Sequence, residues 1–215
     1  MQLLESIKKF RTFKAGETIF SAGDDLAYVA SVVQGVATLR RAVSGGRAQM
    51  VGLLLPSDFI GHPGRTQIDF DVIAASDVLL CCFDRAPFRQ LLDDVPHISQ
   101  RMIELAMDEL DAARDWMLLL GRKTAGEKIA TFIEMVVRRQ HMERNDGLKS
   151  DLVLPLSRGD IANYLGLTDE TVSRQIALLK SRGIVQFIDK RRFRVIDMEA
   201  LQQATGDDDD GGMIA

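Results

Sequence analysis

The run Leu156-Ser-Arg-Gly-Asp-Ile-Ala-Asn-Tyr-Leu-Gly-Leu-Thr-Asp-Glu-Thr-Val-Ser-Arg-Gln-Ile-Ala-Leu-Leu-Lys180 divides into two short helical patterns around Gly166. Ser157 is a good N-cap for the first, whose inward stripe is Ile161, Ala162 and Leu165. Ala162 is small where a second helix must cross closely. Gly166 sits where the turn needs a positive φ, which glycine adopts without steric cost. Thr168 caps the second helix, and Asp169 and Glu170 suit the positive end of its dipole. Val172, Ile176 and Leu179 fall at i, i+4, i+7 and face inward. Glu170, Ser173 and Arg174 therefore share the outward face near the helix start. Two helices so joined read as a helix-turn-helix, whose second helix enters the DNA major groove. There an arginine fork can bond guanine O6 and N7, and a carboxylate can accept from an exocyclic amine such as cytosine N4. An ordinary amphipathic helix pair with a solvated face shares this pattern, so the flanking sequence has to decide.

Behind Gly183, two β-type runs, Ile184-Val-Gln-Phe-Ile188 and Phe193-Arg-Val-Ile196, enclose the turn Asp189-Lys-Arg-Arg192. They predict a hairpin with a basic tip, the wing of a winged helix. Lys190, Arg191 and Arg192 at that tip are expected to meet phosphates, as are Ser157, Thr168, Thr171 and Lys180. The net charge of −4 speaks against a DNA binder only as a sum. Between Asp169 and Arg194 seven basic residues outnumber three acidic ones, while Asp207–Asp210 alone contributes −4. A basic face on an acidic protein still binds phosphate in a salt-dependent way.

Glu170-Thr-Val-Ser-Arg174, with Leu154-Pro-Leu-Ser157 and Ile161-Ala-Asn-Tyr-Leu-Gly-Leu167 before it, closely resembles the CRP/FNR family of bacterial transcription regulators. The Glu-x-x-Ser-Arg face is similar to the FNR/FixK-type subgroup. The cyclic-AMP receptor type usually has Arg before the Glu and Gly before the final Arg, where this chain has Asp169 and Ser173. The likeness also covers Leu53-Leu-Leu-Pro-Ser-Asp-Phe-Ile-Gly61 and Gly121-Arg-Lys-Thr-Ala-Gly-Glu-Lys-Ile-Ala130. It implies a homodimer on double-stranded DNA, a TTGAT-N4-ATCAA-like palindrome, contact with RNA polymerase, and genes of low-oxygen or nitrogen-oxide metabolism.

Upstream, residues 1 to about 10 suggest a short amphipathic helix on Leu3, Leu4, Ile7 and Phe10. Strand-like runs follow at Tyr28–Val33, Val36–Leu39, Met50–Leu55 and Val78–Phe83, with Gly45-Gly46 as a hairpin turn. Many short strands mean an antiparallel barrel or roll, and the resemblance implies the cyclic-nucleotide-binding type of β-roll. From Val95 to Gly121 the period becomes helical. Ile98, Met102, Leu105, Ala112, Trp116 and Leu119 form one stripe; Ile103, Ala106, Leu110, Ala113, Met117 and Leu120 form a second beside it. A helix apolar on two faces wants cover on both, and the first stripe is expected to carry the dimer. A further helix over Thr124–Arg139 is expected to bury Ile129, Phe132, Ile133 and Val136. A polar loop over residues 141–147, a strand at Leu152–Pro155 and a last helix at Met198–Gln203 follow. The expected class is α+β, with a β-roll sensor or effector domain at 1–94 and a dimerisation helix at 95–121. A winged helix-turn-helix at 122–203 and an acidic disordered tail at 204–215 complete it.

No run of about 18 apolar residues exists, so no membrane helix is expected. Glu5, Lys8 and Lys9 interrupt any secretory signal. The two cysteines, Cys81 and Cys82, are adjacent and cannot build a disulfide framework, which fits a reducing cytoplasm. No Ser-His-Asp set, metal-ligand cluster, phosphate loop or carboxylate pair stands out, which argues against an enzyme. Cyclic-AMP binding is not expected either. The turn reads Gly61-His-Pro-Gly64, and Asp69 and Asp71 would repel a phosphate that Arg65 alone would have to hold. FNR-type oxygen sensors resembling this chain hold a [4Fe–4S] cluster on three N-terminal cysteines and one in the roll. Cys81, with less claim Cys82, lies where the roll ligand would be expected, yet no cysteine precedes it. Read from the residues, both are small apolar strand positions. One account is a cluster-free, FixK-like member regulated by abundance or another signal. Another is a cysteine-bearing N-terminal segment absent from this sequence, which the closeness to FNR-type sensors favours. Haem sensing is a third, although His62, His97 and His141, the only histidines, each read as a surface residue or cap.

Overall fold

The computed structural model describes residues 7–43, 47–144 and 151–206. The chain forms two compact units, Met1–Ala113 and Arg114–Ala215.

In the first unit the alternating apolar runs become short strands: β1 (Lys8–Phe13), β2 (Thr18–Phe20), β3 (Tyr28–Gln34), β4 (Ala37–Val43), β5 (Arg47–Leu54), β6 (Phe59–Ile60), β7 (Asp71–Ala74) and β8 (Val78–Asp84). They pair antiparallel into two four-stranded sheets, ordered β1-β8-β3-β6 and β2-β7-β4-β5. Period-two burial is clear on β8, where Val78, Leu80 and Cys82 enter the core and Leu79, Cys81 and Phe83 alternate with them. Val29, Val32, Ile60 and Val72 fill the same core. Val43 pairs with Arg47, so β4 and β5 flank the expected hairpin, whose turn at Gly45-Gly46 lies outside the described residues. Gly35 turns β3 into β4 at a φ of +87°, with the Asp77 carbonyl so close that a Cβ would lie 2.0 Å from its oxygen.

Two expectations fail here. Residues 8–10 are not helical: Lys8, Lys9 and Phe10 pair with Phe83, Cys82 and Cys81 on β8. Ladder hydrogen bonds over six residue pairs outweigh the helical spacing of Ile7 and Phe10, and Phe10 stays 57% exposed. Leu3 and Leu4 lie outside the described residues. A helix not anticipated, α1 (Arg85–Asp94), buries Phe88 and Leu91. The Phe88 ring lies 5.2 Å from that of Phe83 and 5.7 Å from that of Phe59. Removing these two side chains from water contributes on the order of 1.5–3 kcal/mol each, which fastens α1 to the sheet.

The long helix α2 (Pro96–Arg122) has 27 residues, about 40 Å at the usual rise. Its first stripe is not the outward one. Ile98 and Met102 pack on the roll core, Leu105 is half-buried, Trp116 stacks on Tyr164 at 5.6 Å, and Leu119 is buried. Of the six, only Ala112 is exposed. The second stripe stays outward: Ile103 and Met117 are each 63% exposed and Leu110 41%, with exposed Ala106 and Ala113 between them. The first stripe, expected to carry the dimer, thus has cover within the chain, while the second keeps its apolar side chains outward.

In the second unit α3 (Ala125–Arg144) opens with a capping box. Glu127 Oε2 accepts from Thr124 N at 2.6 Å, and Thr124 Oγ1 accepts from Glu127 N at 3.4 Å. Ile129, Phe132, Ile133 and Val136 are buried as expected, although the helix runs on to Arg144. Of the expected polar loop, residues 145–147 lie outside the described residues. Then come β9 (Leu152–Val153), α4 (Arg158–Leu165), α5 (Asp169–Ser181), β10 (Val185–Phe187), β11 (Arg192–Val195) and α6 (Met198–Gln203). The three strands form one antiparallel sheet, β10-β11-β9, which joins the wing to the strand leading into α4. The acidic run Asp207–Asp210 lies outside the described residues.

Candidate nucleic-acid interface

The local chemistry that forms the two helices also aims them. Ser157 Oγ accepts from Asp160 N at 3.1 Å and donates to Asp160 Oδ2 at 2.6 Å, which caps α4. That helix ends at Gly166, left-handed at φ 64° and ψ 39°, and the amides of Gly166 and Leu167 both donate to Ala162 O. Lys128 Nζ on α3 reaches the Leu165 carbonyl at 3.4 Å, a cation placed at the helix C-terminus. Only two residues separate Gly166 from α5, whose cap is Thr168: its Oγ1 accepts from Thr171 N at 3.2 Å. A side chain on Gly159 would meet the Asp169 carboxylate at 3.3 Å, so the start of α5 crosses α4 close to its backbone. Ile161, Ala162, Leu165, Val172, Ile176 and Leu179 are all buried, and Tyr164 joins them against Trp116 and Phe132.

That packing leaves Glu170, Ser173 and Arg174 exposed together within the first two turns of α5. Ser157, Thr168, Lys180, Lys190, Arg191 and Arg192 are exposed as well, and Thr171 is half-buried. The Thr168 and Thr171 hydroxyls bond each other at 2.9 Å. In the wing turn, Asp189 Oδ1 accepts from the amides of Arg191 (2.8 Å) and Arg192 (2.7 Å), and Asp189 Oδ2 from Arg192 Nε (2.6 Å). These three donors favour the carboxylate and hold its pKa down to about 2, while the same pairing raises that of Arg192. Arg194 pairs with Asp151. Of the basic tip, Arg192 is therefore tied to the turn itself.

Arg158 was not anticipated. It follows the N-cap of α4, and its guanidinium lies over the Phe187 ring at 5.0 Å. Phe187 in turn stacks on Phe193 at 5.5 Å. Burial lowers the Arg158 pKa from the ordinary value, and its Nη1 is buried without a hydrogen-bond partner. The sequence signal was an arginine directly after a capping serine, a place where a cation opposes the helix dipole and so needs another reason to be.

Taken alone, the residues of the roll complete neither a cyclic-phosphate site nor a four-thiolate site. Its cyclic-nucleotide fold implies a phosphate site, yet the Arg65 guanidinium is engaged by Asp69, and Asp71 Oδ1 accepts from Ala22 N at 2.8 Å. Two carboxylates line that stretch and its cation is neutralised, so the residues present do not fit a cyclic phosphate. For a [4Fe–4S] cluster, Cys81 and Cys82 are neighbours on β8 and point to opposite faces of the sheet. Cys82 is buried, and burial pushes its thiol up to about 11, away from the thiolate that iron requires. Two thiols so placed do not fit a four-thiolate cluster. Among the histidines, His62 Nδ1 accepts from Gly64 N at 3.1 Å as a loop cap and His97 is exposed. The His141 side chain lies outside what is described.

A β-roll, a long helix and a winged helix-turn-helix with an exposed polar recognition face define a DNA-binding transcription regulator. Residues 10–95 match the profile of a cyclic nucleotide-binding domain, and residues 127–204 that of a Crp-like helix-turn-helix domain. The chain is 50% identical over 214 residues to the transcriptional activator protein FnrL of Cereibacter sphaeroides, covering 98% of this chain and 86% of that protein. It is 42% identical over 178 residues to the nitrogen fixation regulation protein FixK of Bradyrhizobium diazoefficiens, covering 82% and 73%. Among solved structures, FixK2 from Bradyrhizobium japonicum superposes with a TM-score of 0.82 at 29% identity, covering 92% of this chain and 97% of that one. The chain belongs to the CRP/FNR family of transcription regulators, in its FNR/FixK-type subgroup. Members of that family bind DNA through the helix-turn-helix and are not enzymes.

Proposed function

We propose that the chain works in the cytoplasm as a homodimer that binds a TTGAT-N4-ATCAA-like palindrome and activates genes of low-oxygen or nitrogen-oxide metabolism. The observation that carries this is the joint outward placement of Glu170, Ser173 and Arg174 on a capped, buried helix. Arg174 takes the guanine O6 and N7, Glu170 accepts from an exocyclic amine, and Ser173 lies between them. Lys180, Lys190, Arg191 and Arg192, with the hydroxyls of Ser157, Thr168 and Thr171, hold phosphates. The roll is the sensor or effector domain over 1–94, the helix at 95–121 carries the dimer, and 122–203 bind DNA. The outward stripe Ile103, Ala106, Leu110, Ala113, Met117 is the dimer surface, because an exposed apolar seam of this length needs cover. A two-fold dimer matches half-sites about one DNA turn apart. The name of the FnrL relative, a transcriptional activator protein, supports activation, and RNA polymerase is the partner that activation requires.

Fluorescence anisotropy of the aerobically purified chain on TTGAT-N4-ATCAA, against a duplex with the G·C pairs swapped, tests this reading. Tight, selective binding is expected. Selectivity should fall by about 1–3 kcal/mol in Arg174→Ala. Equal binding to both duplexes, or equal loss on both in the variant, would sink the base-reading assignment.

A further inference from the structure

The outward stripe of α2 repeats with alternating steps of three and four: Ile103, Ala106, Leu110, Ala113, Met117, Leu120. Such a seam has the a and d positions of a heptad, with Ile103, Leu110 and Met117 at a. The residues flanking it are then fixed. Glu109 falls at g, and Arg114 falls at e of the next heptad. In a parallel pair of helices, g on one chain faces e on the other, five residues further on. Glu109 and Arg114 are five apart, carry opposite charge, and lie about 140° apart around their own helix, so they do not face each other within one chain. Arg114 is the only cation between Ile103 and Leu120, where Glu104, Asp108, Glu109, Asp111 and Asp115 are acidic.

We propose that Glu109 of each protomer pairs with Arg114 of the second copy, and that these two symmetric ion pairs set the parallel register of the dimer. The proposal rests on the homodimer reading above and names the contact that orients it. An antiparallel arrangement would face g against g and leave Glu109 without a cation. The surroundings of Glu109 support the assignment. Met102, one heptad earlier, packs on the roll, and Trp116, one heptad later, stacks on Tyr164, while Glu109 between them is exposed and open to a second copy. Partial removal of water there, with the like charge of Asp58, raises the Glu109 carboxyl above its ordinary value. Among the described residues no cation of the same chain lies within ion-pair distance of it. A guanidinium supplied by a second copy relieves both the lost hydration and the like charge.

Charge reversal tests the pair. Sedimentation equilibrium should show the dissociation constant of the dimer raised about tenfold or more in Glu109→Arg and in Arg114→Glu. It should return to within about threefold of the parent in the double variant, because both pairs are then rebuilt in reverse. Mixing the two single variants should give a heterodimer tighter than either homodimer, since only the mixed dimer has two attractive pairs. The milder Glu109→Gln and Arg114→Gln keep side-chain size, and each should flatten the weakening of the dimer by added salt. Single variants that dimerise like the parent, or a mixture no tighter than its components alongside an unchanged salt slope in the glutamine variants, overturn the pair and leave the dimer standing. A parent chain that stays monomeric at every accessible concentration refutes the dimer reading itself.

Discussion

Replacing Gly166 by alanine tests the geometry of the turn that delivers the recognition helix. The residue sits in the left-handed region at φ 64°, which costs a non-glycine residue about 1–2 kcal/mol. Space adds little to that cost, because the nearest atom to a new Cβ is Leu120 Cδ2 at 4.0 Å. Alanine also narrows the unfolded ensemble, which returns about 0.4–1 kcal/mol. The net loss is therefore about 1 kcal/mol, or roughly 4–8 °C in Tm for a unit of this size. Asparagine, which tolerates this region, should lose about half as much. The assay is built in: Trp116 is the only tryptophan and stacks on Tyr164, which lies two residues before the turn. Its fluorescence in a urea titration reports this unit directly. A loss above about 3 kcal/mol would mean that the added methyl group meets packed atoms, and no loss would mean that the turn is not left-handed. Either result refutes the reasoning.

Gly35→Ala shares the positive φ and differs in space, since its Cβ would lie 2.0 Å from the Asp77 carbonyl oxygen. The expected loss is about 4 kcal/mol or more, seen as early melting of the β-roll by far-UV circular dichroism; a loss near that of Gly166→Ala would refute the clash. Ile98→Ala should destabilise the subunit by about 2 kcal/mol, because the side chain packs on the roll core. Leu110→Asp should leave monomer stability almost unchanged and abolish the dimer by sedimentation; the opposite pattern would reinstate the first stripe. For the wing, the Asp189 carboxyl titrates near 2, below its ordinary 3.8. Its contribution is thus fully present above about pH 4 and is lost as pH falls through about 2. The amide resonances of Arg191 and Arg192 should shift with that midpoint, and a midpoint near 4 would deny the carboxylate its three donors.

The helix-turn-helix was readable because its signals are local. Ser157, Gly166 and Thr168 act on backbone groups within four residues, and their roles follow from residue type alone. The wing was readable for the same reason. The two stripes of α2 were visible as periodicity, but periodicity states that a face is apolar and not what covers it. Ile98 and Met102 meet β-strands far away in sequence, and only the tertiary arrangement reveals that. The strand at Lys8–Phe13 was misread because Ile7 and Phe10 fit a helix by spacing, while its true partner, β8, begins some 65 residues on. Helix α1 was missed because two buried residues, Phe88 and Leu91, make too short a pattern to stand out. Among the interface residues, Arg158 escaped because its partner, Phe187, belongs to the far side of the wing.

Arg158 and Phe187 together brace the wing from behind. A guanidinium over Phe187, Phe187 against Phe193, and Asp189 accepting from the Arg191 and Arg192 amides tie the stem of the wing together by contacts within the chain. A mobile hairpin would give up conformational entropy on every encounter, about 0.5–1.5 kcal/mol for each long side chain immobilised. Here these contacts move much of that ordering into folding, so a wing that holds phosphates as proposed would grip the backbone at first collision. On the phosphate-holding role proposed for it, the wing is a preset rail along which the recognition helix can sample sequence, and loosening its stem would then cost every site on DNA alike.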